Sequence, residues 1–403
     1  MVIKKINSNN KKTIIFLTPY PFNEDYAKKF GFNYLKSKKY ELIIINTLGI
    51  LYPHAINQLP GYLSTDLVSG IEQKIAINKE KLYEIILTIK GKRIAYLNCY
   101  QHNAILDVLK DNDIDYILQK NTSLFPPKKQ DTLENIKMLI HKKNALQKFV
   151  KSFFRGNTLK TKQDLKKYYH PRFILSRSPN IDIDLKKTKI LNVNSFDYER
   201  VLEQSNYDKP EYIPRVKYYV LLVNHPWKIH DEILLNNGEF IDKNLYKKII
   251  NKFLNLLEEK TNTKVIIAAY PKATQDENIY NGRPFLYDTE QLVKYSSGVI
   301  CHHTGAINFA VIHNKPICLI GLSYFPTYAL FSRINRAYAE ELGVPLKCIG
   351  SEKECINLLE GDIFYFNKSN YKEYIKKYLL SEFQGEKSLW QVVTEELDCY
   401  FDL

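Results

Sequence analysis

The six cysteines of this 403-residue chain, Cys99, Cys301, Cys318, Cys348, Cys355 and Cys399, form no Cys-x-x-Cys pair. A disulfide framework or a thiolate zinc site needs paired spacing, so neither is expected, and free thiols in a reducing compartment fit the pattern. No Walker loop, Gly-x-Gly-x-x-Gly or His-Glu-x-x-His occurs, so P-loop, dinucleotide-fingerprint and zincin chemistry lack their residues. No apolar run approaches the roughly 20 residues of a membrane span. Residues 1–10 hold none long enough for a signal peptide. A cytoplasmic protein is the expectation.

Acidic residues are also scarce. There are 44 Asp and Glu against 58 Lys and Arg, a formal charge of +14, which asks for nucleic acid, anionic lipid or an anionic substrate. Much of the excess lies between Lys137 and Lys167, where Asp164 is the lone acid. Within that stretch Ile136, Leu139, Ile140, Leu146, Phe149, Val150, Phe153 and Phe154 recur at helical spacing. The result is a basic amphipathic helix over 131–154, either a solvated face or a surface for anionic lipid headgroups. A hydrophobic fraction of 45% supports a globular chain, and this length suits two domains of roughly 200 residues each.

Apolar runs and helical periods alternate. Lys12–Thr18 reads as a strand, a helix follows from the N-cap Asn23 to about Ser37, and Tyr40–Asn46 is the next strand. That β-α-β opening is the start of a doubly wound domain. Tyr20, Asn23, Glu24 and Asp25 lie at the first strand's carboxyl end, as candidates for a cleft or as first-turn acids favoured by the helix dipole. Asp111-Asn-Asp-Ile-Asp115 and Asp182-Ile-Asp184 contain an Asp-x-Asp spacing used for metal-diphosphates, but sit where turns belong. The proline-bearing stretch Ser205 to Pro214 reads as a linker. Beyond it the strand Tyr218–Val223 runs into Asn224-His-Pro-Trp-Lys-Ile-His-Asp231, whose His225, His230 and Asp231, with Glu232, are candidate bases for an acceptor hydroxyl.

The densest chemistry lies between Lys264 and Ile320. Lys264–Ala269 is a strand that stops at Tyr270-Pro-Lys272, because proline cannot donate to a sheet ladder. Gly298–Cys301 is a second strand, ending in His302-His-Thr-Gly-Ala306 before a helix and the strand Lys315–Ile320. Thr304, Gly305 and Ala306 then open a helix, where unpaired N–H groups and the positive dipole end favour a phosphate. The two loops border one crevice outside the strand ends. The plainer alternative is a tight turn at Gly305 with packing histidines.

The runs Tyr219–Val223, Lys264–Ala273, Gly282-Arg-Pro-Phe-Leu-Tyr287, Gln291–Ser296, His302–Ala310 and Asn314-Lys-Pro316 resemble the donor-binding half of bacterial surface-polysaccharide glycosyltransferases. The pattern is similar to the sialyltransferase-like GT-B enzymes of O-antigen and capsule clusters. Tyr270-Pro271 stands where that family has His-Pro, and Thr304 matches its hydroxyl position. The resemblance implies an α/β protein of GT-B type, two Rossmann-like doubly wound domains facing each other across a cleft. Residues 1–205 form the acceptor side, 206–380 bind the nucleotide sugar, and 381–403 return a terminal helix to the first domain. The implied activity is inverting, metal-independent transfer of a sugar from a nucleotide donor to a lipopolysaccharide O-antigen or capsule glycan, with a CMP-activated nonulosonic acid as one donor. Tyr270, Lys272, Arg283, His302, His303, Thr304, Gly305 and Ala306 are the expected donor contacts. His225, His230, Asp231 and Asp25 are the expected catalytic groups. No cofactor, metal or nucleic acid is expected. The expected partners are the donor, a glycan or lipid-linked glycan acceptor, and an anionic membrane touched peripherally. A glycerophosphotransferase, a sugar-nucleotide epimerase or a non-catalytic glycan binder are the alternatives.

Overall fold

The computed structural model describes residues 11–19, 22–53, 56, 68, 70–98, 102–119, 169–177, 187–205, 207–222, 243–269, 279–302, 304–322, 328–382 and 384–402, without the side chains of Asp25 and 328–333. The basic 131–154 segment and Asp182-Ile-Asp184 lie outside the described residues.

Two all-parallel sheets carry the fold. The first contains β1 (Lys12–Thr18), β2 (Glu41–Asn46), β3 (Glu72–Ile75), β4 (Lys92–Asn98), β5 (Tyr116–Gln119), β6 (Phe173–Ser176) and β7 (Lys189–Asn192), in the order β3-β2-β1-β4-β5-β6-β7. The second contains β8 (Tyr218–Leu222), β9 (Lys264–Ala268), β10 (Phe285–Leu286), β11 (Gly298–Cys301), β12 (Ile317–Leu322) and β13 (Leu346–Ile349), in the order β10-β9-β8-β11-β12-β13. Alternate residues of one strand feed opposite faces: Ile14 and Phe16 enter one core, Ile15 and Leu17 the other. Both faces are covered, so the strands read as near-continuous apolar runs. Parallel strands need crossovers, and helices supply them on both faces of each sheet.

Local chemistry sets the element ends. Asn23 caps the first helix, its Oδ1 accepting the Tyr26 N–H at 3.0 Å. The single helix expected to Ser37 is instead two, Glu24–Lys29 and Phe32–Ser37. Gly31 divides them at φ +60, and a Cβ there would stand 2.3 Å from the indole Cδ1 of Trp390. That indole belongs to the last helix, Leu389–Asp402, which buries Leu389, Trp390, Val393, Leu397 and Phe401 in a core of the first sheet. Lys12 Nζ lies 3.1 Å from both Asp398 and Asp402, and Tyr40 donates to Asp398 at 2.7 Å.

Four elements have weak local signals: β3, the four-residue helix Leu48–Leu51, β13, and the helix Phe196–Gln204 capped by Ser195. The Asp111–Asp115 stretch is a turn: Asp113 adopts φ +50 and Asp115 accepts the Tyr169 hydroxyl at 3.1 Å. No helix among the described residues is long and apolar enough to cross a membrane.

Candidate functional site

The order of the second sheet reverses between β8 and β11, so this is its topological switch point. In open parallel sheets the ligand crevice lies outside the carboxyl ends of the two strands at that point. The chain leaves β8 at Leu222 and β11 at Cys301. β9, which precedes Tyr270, is one strand further out, because β8 stands between β9 and β11. The sequence pairs the β9 and β11 loops; the sheet gives β11 the exit of β8 as its immediate neighbour.

The β11 exit is built in three steps. His302 is fully buried, with its Nε2 3.0 Å from the hydroxyl of Tyr246. Burial raises the Tyr246 pKa, keeping that phenol neutral beside the imidazole. The expectation of a phosphate contact at His302 therefore meets a ring enclosed in the core. Thr304 comes next, its Oγ1 accepting the Ala306 N–H at 3.3 Å and its carbonyl accepting the Ile307 N–H at 3.3 Å. Gly305 and Ala306 carbonyls take the N–H groups of Asn308 and Phe309, both at 3.1 Å. The helix that follows, Ile307–Ile312, has six residues. Local bonds thus use the amides of Ala306, Ile307 and Asn308, and the dipole contribution of so short a helix is small. An oxygen that accepts a hydrogen bond still carries its own proton, so the Thr304 hydroxyl remains able to donate.

Asn308, fully buried, joins this turn to the rest of the molecule. Its Nδ2 donates to Asp197 Oδ2 at 2.7 Å, and its Oδ1 accepts the Tyr374 hydroxyl at 2.8 Å. Asp197 lies in the first turn of the Phe196–Gln204 helix. Phe196 of that helix packs on the first sheet's core, while Tyr198 and Val201 pack on the second's. Glu199, in the same first turn, accepts from Asn194 Nδ2 at 2.7 Å, Gln384 Nε2 at 2.6 Å and the Leu389 N–H at 2.9 Å. One short helix therefore touches both cores and the returning chain.

Arg283 has a different environment from the donor contact expected of it. Its guanidinium is held by Glu258 Oε2 at 2.7 Å, Asn255 Oδ1 at 2.6 Å and Asn251 Oδ1 at 3.0 Å. It closes a turn in which Asn281 and Gly282 adopt φ of +52 and +75. Positive φ at both central residues is the mirror-image turn that Asn-Gly favours. Asp288 caps the helix Thr289–Tyr295 and also takes Tyr212 Oη at 2.7 Å and Arg200 at 3.3 Å.

His225, His230, Asp231, Tyr270, Lys272 and His303 lie outside the described residues, as does the side chain of Asp25. Asp197, Asn308 and Tyr374 carried no sequence signal, because the three are brought together only by packing. The Asn251, Asn255, Glu258 series did carry one: positions i, i+4 and i+7 share a helix face. Among the described residues no cluster of three or more His, Cys, Asp or Glu is arranged to hold a metal.

No protein-family model matches the chain, and no curated protein matches it in sequence. Solved structures do. The wall teichoic acid polymerase TagF superposes with a TM-score of 0.54 at 11% identity, over 98% of this chain and 91% of that one. The fold is GT-B. The UDP-N-acetylglucosamine 2-epimerase from Rickettsia bellii gives 0.50 at 10% identity, over 98% of each chain. The S. aureus MnaA co-structure with UDP gives 0.50 at 12%, over 98% of this chain and 97% of that one. As in the GT-B plan expected from sequence, both units are parallel-sheet α/β layers, each doubly wound about its own switch point.

Proposed function

We propose that this GT-B protein is a nucleotide-sugar-dependent glycosyltransferase acting on a bacterial surface glycan, of lipopolysaccharide O-antigen or capsule type. The single observation that carries the reading is the switch point between β8 and β11, with the Thr304-Gly305-Ala306 turn at its rim. In this reading the donor's phosphate lies against that turn and accepts a hydrogen bond from the Thr304 hydroxyl, and Lys272 and His303 add positive charge as the bond to the sugar breaks. The base that removes the acceptor proton comes from His225, His230 or Asp231, which follow β8, or from Asp25 after β1. Inversion without a metal is part of the proposal, as is a CMP-activated nonulosonic acid donor. The acceptor is a glycan or a lipid-linked glycan. The basic 131–154 segment brings the enzyme peripherally to the inner face of an anionic membrane. Domain limits at 205 and 380, with 381–403 returning to the first domain, belong to the same reading.

A second reading has specific support. TagF is a wall teichoic acid polymerase, and one of its structures, at a TM-score of 0.50, was soaked with CDPG. The Rickettsia bellii UDP-N-acetylglucosamine 2-epimerase and the MnaA structure with UDP reach the same score. A glycerophosphoryl transferase or an epimerase would share the switch point and differ in what the nucleotide carries.

Thermal denaturation with CMP, UDP, GDP and dTDP separates these. A ligand that binds only the folded state at about 100 times its Kd adds about 2.7 kcal/mol. The matching nucleotide raises the midpoint, and its sugar or glycerol conjugate is then supplied with candidate glycans. Glycan extension supports the transferase, and a converted nucleotide sugar without extension supports the epimerase. If none of the four nucleotides shifts the midpoint, the nucleotide-donor reading fails.

A further inference from the structure

We propose that Asn308 is a positioning residue, linking the Thr304–Ala306 turn to the helix that joins the two halves through its bond to Asp197. The inference rests on the donor reading above for its ligand, but on independent contacts for its geometry. Asn308 is fully enclosed, and both ends of its amide are used in opposite senses. The nitrogen donates to the Asp197 carboxylate at 2.7 Å, and the oxygen accepts from Tyr374 at 2.8 Å. A hydrogen bond to a carboxylate is short and strongly directional. It therefore fixes the side chain, and with it the backbone two residues after Ala306.

Asp197 is a partner of consequence because of where its helix stands. Phe196 meets Phe30 edge-on at 5.2 Å in the first half, while Tyr198 and Val201 pack in the second. The Ser195 N–H donates to Leu379 O at 2.8 Å, where the chain begins its return. Tyr374 sits on that returning segment, one residue before the π-helical turn Ile375–Leu379. The Asn308 amide is thus bonded on one side to the outgoing connection and on the other to the incoming one. A rotation of one half against the other shifts Asp197 and Tyr374 relative to β11, and Asn308 carries that shift to the turn. Angle between the halves and readiness of the turn for a phosphate become one variable.

The test exchanges donor and acceptor across the pair. Asn308→Asp alone sets two carboxylates face to face, and Asp197→Asn added to it restores one amide and one carboxylate with Tyr374 still able to donate. Using whichever of CMP, UDP, GDP or dTDP stabilises the wild-type chain, calorimetric affinity falls on the order of tenfold in Asn308→Asp and returns toward wild type in the double variant. Asn308→Ala shows the same loss, with hydrogen exchange faster in both the 304–312 and the 194–204 peptides. Nucleotide affinity unchanged in Asn308→Asp, or a double variant no better than the single one, overturns the inference. Should no nucleotide bind the wild type, the donor reading fails, and hydrogen exchange decides the coupling alone: acceleration confined to 304–312 overturns it. Melting curves of each variant identify any that fail to fold, and the exchange pair is the arm that then decides.

Discussion

The Glu199 carboxylate receives the Leu389 backbone N–H at 2.9 Å, a bond between residues 190 positions apart. Through it the helix that leaves the first half holds the first residue of the helix that comes back to it. The same carboxylate takes Asn194 and Gln384, so three donors converge on one buried acid.

Removing that acid leaves the donors without an acceptor. Each hydrogen bond to a charged group contributes about 1.5–3 kcal/mol, and orphaned buried donors add their desolvation cost. Glu199→Ala is expected to lower unfolding free energy by about 3 kcal/mol or more in urea titration. Docking of the Leu389–Asp402 helix weakens with it, so hydrogen exchange in that helix accelerates ahead of the second sheet. An exchange pattern unchanged in that helix would contradict the assigned role.

Arg283 is a structural cation in this geometry. The Arg283 side chain is 7% exposed and that of its partner Glu258 16%, so the ion pair is shielded from solvent. Breaking a buried pair by deleting one partner costs about 3–5 kcal/mol. Arg283→Ala is expected to lower the melting midpoint sharply. Any nucleotide affinity that survives, measured well below that midpoint, stays near wild type. A stable variant with lost nucleotide binding would return Arg283 to the phosphate.

Thr304→Val keeps the shape and removes the hydroxyl, whereas Thr304→Ser keeps the hydroxyl. A hydrogen bond to a phosphate oxygen contributes about 1.5–3 kcal/mol, so Val loses roughly tenfold to a hundredfold in nucleotide affinity and Ser retains most of it. Titration calorimetry with the nucleotide that stabilises the wild-type chain reads the difference. Equal affinity in both variants removes Thr304 from the site.

Alkali should unfold the protein steeply. Burial raises the pKa values of Tyr218, Tyr246, Tyr338, Tyr371 and Tyr374 above the ordinary 10.0. Below that value both states hold the proton and folding is undisturbed. As pH rises through it the unfolded chain ionises while the folded one does not. Stability is lost by about 1.4 kcal/mol per pH unit for each such tyrosine. Tyrosinate absorbance is therefore expected to appear together with the loss of ellipticity, in one transition. Tyr212 on the linker is pushed up to about 12 by burial and by the Asp288 carboxylate that accepts its hydroxyl, so it ionises above the ordinary phenols.

The sequence by itself determined the apolar strands. Strands buried on both faces must be apolar throughout, so β1, β2, β4, β8, β9, β11 and β12 stand out, and alternation with amphipathic helices makes them parallel. Asn23 was legible as a cap because capping is local chemistry. Tertiary structure decided what locality does not carry. Gly31 splits a helix because Trp390 arrives from the far end of the chain. β3 is a strand although Glu72, Gln73 and Lys74 are polar, since pairing with β2 satisfies its backbone. Strand order was likewise hidden: apolar runs announce that β8, β9 and β11 exist, but only their hydrogen bonding puts β8 between the other two and moves the crevice. The Asp197, Asn308, Tyr374 chain has the same origin, because three polar residues far apart in sequence become partners only when burial leaves them no water to bond.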